Sequence, residues 1–230
     1  MDGHVLYHGS ENIIERPAFG AGNARNDYGL GFYCTEHPEL AKEWACAENR
    51  DGFSNEYSID MKGLTVLDLS NCRFHILNWM AILLENRTFV ISQGIAYTAR
   101  EYILRTFLPE YEEYDIIRGY RADDSYFSFA SAFLNNTISL EQLRRAMMLG
   151  GLGEQVVLKS RLAFERMRFV RATPADNETY YPKRAARDRK AREDFREEKS
   201  REAVIGETYA IDIVRNGWKN DDPRLRRDLP

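Results

Sequence analysis

Long apolar runs are scarce in this sequence. The most apolar stretch, Phe74 to Leu84, is interrupted by His75 and Asn78 and falls short of the ~20 residues a membrane-spanning helix needs. No basic segment followed by an apolar run opens the chain, so no secretory leader is expected. Cysteine is scarce as well. Cys34, Cys46 and Cys72 form no metal-ligand spacing and cannot all pair, so reduced thiols and a cytoplasmic protein are expected. Charge of one sign is also missing. A net charge of −4 excludes bulk attraction to nucleic acid or anionic membrane and leaves only a local basic patch open. No internal repeat or low-complexity tract is present.

What remains is an ordinary globular composition, 43% apolar and 30% charged over 230 residues. That length suits one large domain, or one domain with an appendage. Two stretches near the start stand out: Leu6-Tyr7-His8-Gly9-Ser10, and Asp27-Tyr28-Gly29-Leu30-Gly31-Phe32-Tyr33-Cys34-Thr35. Val5 to Tyr7 reads as a strand that delivers His8 at its tip. Gly31 to Thr35 does the same for Tyr33. Glycine beside a polar residue lets backbone or ligand approach closely. Together His8 and Tyr33 read as walls of a slot for a flat polar ligand. Residues 11–31 between them have loop chemistry. They are expected to fold over the ligand, with Arg25 placed to meet a phosphate.

Pro38 suits the first turn of a helix over 38–45, with Thr35 or His37 near the cap. Leu40, Trp44 and Ala47 share a face. Period-two alternation predicts strands over 56–60 and 65–69. Helices are expected over 73–86 and 94–107, a strand over 114–117, a turn over 118–124 and a helix over 125–134. Ser139-Leu140-Glu141-Gln142 is a capping box opening a helix that ends at Gly150 and Gly151. A strand over 155–160 follows, then a helix over 161–166 capped by Ser160 and a strand over 167–170. The segment 182–203 alternates charge and reads as a solvated helix laced with ion pairs. Residues 209–214 read as a strand or short helix, and 220–230 as a mobile tail.

The late strand Gly153-Glu154-Gln155-Val156-Val157-Leu158-Lys159-Ser160 carries a third polar signal. Neighbours on a strand point to opposite faces. Gln155, Val157 and Lys159 form one set, and Glu154, Val156, Leu158 and Ser160 the other. Val156 and Leu158 read as the core side, which turns Gln155 toward the slot. Glu154, at the strand entry, stays the alternative. Asp123 and Asp124 read as a metal or acid pair, or as a cap for the helix at Ser125.

His-Gly-Ser, then Gly-x-Gly-Phe-Tyr, then this late strand together resemble the ADP-ribosyltransferases of the His-Tyr-Glu type, the group that includes the poly(ADP-ribose) polymerases. Within it the chain is nearest to a bacterial toxin-like family described only as a domain of unknown function. The resemblance implies an α+β fold, a split antiparallel sheet with flanking helices and a charged C-terminal helix. It places the transferase-like domain over 1–175 and a charged helical extension, packing on that domain, over 176–230. It implies that NAD is bound as substrate, its nicotinamide–ribose bond cleaved, and one ADP-ribose moved to a protein or nucleic-acid acceptor. A toxin or phage-defence effector of this kind would have a small antitoxin protein as partner, and the basic stretch 183–201 would serve for target or partner binding.

By the same resemblance His8 holds the adenosine ribose and the Gly9 backbone the carboxamide. Ser10 touches the nicotinamide ribose or the carboxamide. Tyr33, after Gly31, stacks on the nicotinamide, with Tyr57 as a second stacking candidate. Gln155 or Glu154 bonds the nicotinamide-ribose hydroxyl. Bond cleavage builds positive charge on the ribose, as in glycoside hydrolysis, but the leaving group is already cationic and needs no general acid. A Gln cannot act as a base, which suits transfer of a single unit rather than chain elongation. A catalytically silent NAD or ADP-ribose sensor and a plain NAD hydrolase are the alternatives.

Overall fold

The computed structural model describes residues 3–89, 91–121, 124–148, 154–201 and 206–226. Its elements run β1 (His4–Ser10), β2 (Phe32–Cys34), α1 (Pro38–Ala45), β3 (Gly52–Ile59), β4 (Val66–Asp68), α2 (Ile76–Asn86), α3 (Ile95–Phe107), β5 (Ile116–Tyr120), α4 (Asp124–Leu134), α5 (Leu140–Met148), β6 (Glu154–Leu158), α6 (Arg161–Arg166), β7 (Met167–Ala175), α7 (Asn177–Ser200) and α8 (Ala210–Arg215). A 3-10 turn follows at Pro223–Arg226. The fold class is α+β, as the sequence leads one to expect. Among the described residues no helix is long and apolar enough to cross a membrane.

The chain divides into two compact units, each discontinuous. One comprises Met1–Asp68, Glu110–Arg121 and Gly153–Arg187, the other Leu69–Pro109, Ala122–Leu152 and Asp188–Pro230. The units meet along the chain at 68/69, 109/110, 121/122, 152/153 and 187/188.

The first unit holds both sheets. One has the order β1-β3-β7 and the other β2-β6-β5-β4. Pairing is antiparallel throughout except between β4 and β5, which run parallel. The cluster Leu6, Cys34, Ile59, Ile116, Val156, Leu158 and Ala163 draws on both sheets and α6. Burying one Leu or Ile of this kind contributes roughly 1.5–3 kcal/mol. Arg118-Gly119-Tyr120, expected as a turn, is strand: Arg118 pairs with both β4 and β6, and Gly119 and Tyr120 continue the ladder to β6.

Helix α1 starts at Pro38 after the cap residue His37, whose N–H donates to Thr35 Oγ1. It packs on the face of β1 that carries Gly9. A Cβ at Gly9 would lie 2.0 Å from the Ala41 carbonyl oxygen, so only glycine lets this helix approach. Glu43 of α1 is buried and takes a two-point ion pair from Arg187, at 3.0 and 2.9 Å.

In the second unit α2 is buried over every residue from Ile76 to Leu84. Its buried Asn78 donates to the Phe107 carbonyl and to Asn220 Oδ1. The predicted capping box is present, with Gln142 N–H on Ser139 Oγ and Ser139 N–H on Gln142 Oε1. The expected end of that helix at Gly150 and Gly151 lies outside the described residues. The charged helix is less solvated than its composition implies. Ala191, Phe195 and Glu198 of α7 are buried. Phe195 packs on Phe129, and Glu198 pairs with Arg145 at 2.6 Å.

Candidate functional site

Among the described residues the two sheets are joined by a single backbone bridge. Tyr7 and Thr35 exchange both backbone bonds, at 2.8 and 2.9 Å, and the ladder between β1 and β2 goes no further. N–H and C=O alternate sides along a strand. Since those of Tyr7 point at β2, those of Gly9 point the same way, into the place where β2 has diverged. Among the described residues no bond to either group of Gly9 is made. Gly9 thus offers one donor and one acceptor in a gap, next to His8.

His8 is not a strand tip, since β1 continues through Ser10. Its ring stacks on Phe32, centroids 4.3 Å apart. Its Nδ1 lies 2.7 Å from the Tyr33 carbonyl oxygen. A carbonyl only accepts, so Nδ1 carries the proton and Nε2 is left as an acceptor. Burial lowers the His8 pKa, and the Tyr33 carbonyl bond opposes it by the smaller amount. The ring is neutral at pH 7.

Tyr33 uses its hydroxyl structurally. It accepts the Tyr28 N–H at 3.0 Å and donates to the Gly29 carbonyl at 2.6 Å. Three further bonds secure the same turn. Tyr28 Oη donates to the Tyr120 carbonyl, Lys159 Nζ to the Tyr28 carbonyl, and Gln155 Nε2 to Asp27 Oδ2. Gly29 has φ 72°, a left-handed conformation that costs side-chain-bearing residues roughly 1–2 kcal/mol. Asp27, Tyr28 and Gly29 are all buried. The run 11–31 is therefore not one pliable loop. Residues 27–29 are fixed, and residues 18–25 are its longest exposed stretch, Arg25 among them. Arg25 donates its N–H to Asn23 Oδ1.

The start of that run is held by Asn55, which the sequence reading passed over. Asn55 is fully buried. Its Nδ2 lies 3.1 Å from Ser10 Oγ and 3.2 Å from the Asn12 carbonyl, and its Oδ1 accepts the Ile14 N–H at 3.0 Å. Ser10 Oγ also donates to the Asn12 carbonyl at 2.5 Å, so it shapes the loop entry. Tyr57 is 0% exposed, lies edge-on to Phe32 and Phe169, and donates to the Ile14 carbonyl, which places it in the core.

Strand register puts Gln155 and Glu154 on opposite faces of β6. Tyr33 stands opposite Val157, so Tyr33, Gln155, Val157 and Lys159 share one face of the second sheet. Phe32 and Cys34 stand opposite Leu158 and Val156, the face that also carries Glu154. Gln155 is 5% exposed. Its amide nitrogen is on Asp27, and its Oε1 is buried without a hydrogen-bond partner. Glu154 is half exposed and lies 3.7 Å from Arg118, which pairs with Glu36. Gly31 lies against β6, where a Cβ would sit 2.6 Å from Val157 Cγ1.

Tyr33 and Gln155 thus share one face of the second sheet, Glu154 lies on the opposite face with Phe32, and His8 is tied to the Tyr33 backbone and stacked on Phe32. Asp27 and Asn55 were missed, as was Trp44. Trp44 lies on the helix that crosses the Gly9 face, with a buried, unpartnered Nε1 and Arg121 4.5 Å over its ring. Among the described residues no cluster of three or more His, Cys, Asp or Glu is placed to hold a metal. Asp123 lies outside the described residues, as does the side chain of Asp124.

No curated protein and no solved structure matches the chain. A family model does, over residues 4–169, a span that takes in both motif stretches, α1 and β6. The chain belongs to the family described as Protein of unknown function (DUF3990).

Proposed function

We propose that this protein is a mono-ADP-ribosyltransferase that takes NAD as its substrate. The observation that carries the reading is the pair of backbone groups on Gly9, released where β1 and β2 part. A primary carboxamide has an N–H and a C=O to complete both bonds at once. The nicotinamide ring would then lie against Tyr33, on the same face. His8 Nε2 would accept a hydroxyl of the adenosine ribose, and Gln155 Oε1 a hydroxyl of the nicotinamide ribose.

When the C1′–N bond breaks, its electron pair neutralises the pyridinium nitrogen and nicotinamide leaves. Positive charge grows on the ribose. The Gln155 carbonyl dipole stabilises that charge through the hydroxyl it holds, and a nucleophile of the acceptor closes on C1′ and gives up its proton to water. Gln155 Oε1 is shielded from solvent here, so the slot must widen on binding. That shielding, with an amide where a base would sit, favours the silent NAD sensor as second reading.

A toxin or defence effector acting in the cytoplasm and silenced by a small protein partner fits a transferase with a macromolecular acceptor. The test is NAD labelled on its adenylate half, incubated with the protein and a cell lysate. Nicotinamide release with label on a macromolecule supports transfer. Release without labelling points to hydrolysis, and binding without release to the sensor. No binding sinks the reading.

A further inference from the structure

We infer that Asp27 is a positioning residue that decides which end of the Gln155 amide meets the ligand. The inference rests on the reading that the slot holds a ribose. Asp27 and Gln155 are 128 residues apart in sequence and lie buried side by side, 4% and 5% exposed. Gln155 Nε2 donates to Asp27 Oδ2 at 3.2 Å. The Asp27 oxygen accepts that bond, so the amide nitrogen is held toward Asp27 and Oε1 is turned away from it. That Oε1 is the atom left buried without a partner. A buried acceptor in this condition calls for a donor that the protein does not supply, and a ribose hydroxyl is one. In the transferases that this chain resembles an acid faces the ribose. Here acid and amide have exchanged places, the amide in front and the acid behind.

The exchange predicts how substitutions combine. Asp27→Asn still accepts from Nε2, so the bond to Gln155 survives. The new amide also donates, so it can hold the Gln155 amide flipped, with NH2 toward the ribose. Gln155→Glu sets two carboxylates about 3 Å apart in a buried place, where both cannot stay charged. Asp27→Asn combined with Gln155→Glu rebuilds the pair with its polarity reversed. The amide at 27 donates to one oxygen of the carboxylate at 155, and the other oxygen faces the ribose.

The experiment compares wild type, both single variants and the double variant by nicotinamide release from NAD, NAD binding by calorimetry, and thermal unfolding. Asp27→Asn should lower kcat about tenfold or more, with KM changed far less and Tm near the parent value. Gln155→Glu should lose more turnover and unfold roughly 5 °C or more below the parent. The double variant should regain turnover and Tm relative to Gln155→Glu alone. An Asp27→Asn variant that turns over like wild type overturns the inference, as does a double variant no more active than Gln155→Glu. If wild type binds NAD without turnover, Kd replaces kcat. Weaker binding by Asp27→Asn then supports the inference, and equal binding overturns it. A wild type that binds no NAD overturns the ribose reading and this inference with it.

Discussion

His8 spans the split between the two sheets by giving its Nδ1 proton to the carbonyl of Tyr33, 2.7 Å away. That bond fixes the tautomer, and burial lowers the pKa below the usual 6.5. A lowered His pKa means that the unfolded chain binds more protons than the folded one between the two values. Stability from this group is therefore complete above pH 6.5 and lost as pH falls toward the folded pKa. Protonation also takes the Nε2 acceptor. NAD affinity should fall with acidity below pH 6.5, and His8→Ala should bind weakly at every pH and flatten that limb. His75, lowered by burial to about 4, adds an acid limb of its own to the stability profile. The quantity to measure is thus the difference between variant and wild type, by calorimetry and by thermal unfolding. Loss of the stack on Phe32 and of one hydrogen bond should cost about 1–2 kcal/mol of stability.

Asn55 joins the end of β1 to the loop that follows. Asn55→Ala removes one partner each from Ser10 Oγ and the Asn12 carbonyl, and the side-chain acceptor of the Ile14 N–H. The variant should lose about 1–3 kcal/mol in urea unfolding. Amide exchange should accelerate at residues 11–14 while β7, which pairs on the other side of β3, keeps its protection. Unchanged exchange at Ile14 would mean that the loop holds its shape by other means.

These two residues show what a sequence reveals of such a site. His8, Gly9 and Tyr33 were legible because glycine beside a polar residue at a strand is a local signal. The alternation of Gln155 against Glu154 was legible too, because a strand has a period of two. Both faces of β6 are buried, however. Gln155, Val156, Val157 and Leu158 are all 5% exposed or less, so apolar character could not say which face carries the site. Asn55 reads as one polar residue in an alternating strand. Asp27 finds Gln155 only through the order in which β2 and β6 pair. Tyr57 carries no mark in its sequence neighbourhood that separates a core ring from a ligand wall. The charged run of α7 was read by composition, which cannot show that Arg187 has a buried partner in Glu43.

That partner makes the C-terminal segment structural as well as charged. Arg187→Ala leaves Glu43 buried and unpaired. Removing one member of a fully buried pair costs about 3–5 kcal/mol. Arg187 is 31% exposed on its side chain, so a loss on the order of 2 kcal/mol is expected here. Glu43→Gln with Arg187→Ala should recover part of it, because no unpaired charge remains. Truncation after residue 182 should destabilise more than either change. Chemical unfolding of the four proteins measures all of this. A truncated chain as stable as the parent would return the segment to the role of a free arm.

Tyr33 has two jobs that one substitution separates. Its hydroxyl holds the 27–29 turn through Tyr28 N–H and the Gly29 carbonyl. Its ring, on the face that carries Gln155, is the proposed support for nicotinamide. Tyr33→Phe removes the first job and keeps the second. Two bonds from a half-buried hydroxyl contribute about 1–2 kcal/mol, so Tm should drop by a few degrees. Asp27 sits in the same turn, so the loosened turn should also hold Gln155 less firmly, and kcat should fall while NAD affinity stays near wild type. Tyr33→Ala removes both jobs and should lose NAD affinity as well. Tyr33→Leu sharpens the contrast, since it fills much of the space without an aromatic face. If Tyr33→Leu binds NAD as well as Tyr33→Phe, stacking is not what the ring contributes. Tyr33 would then be a pillar of the turn alone, and the nicotinamide would have to find another aromatic partner, such as Trp44, a half-buried ring on the helix that packs against Gly9.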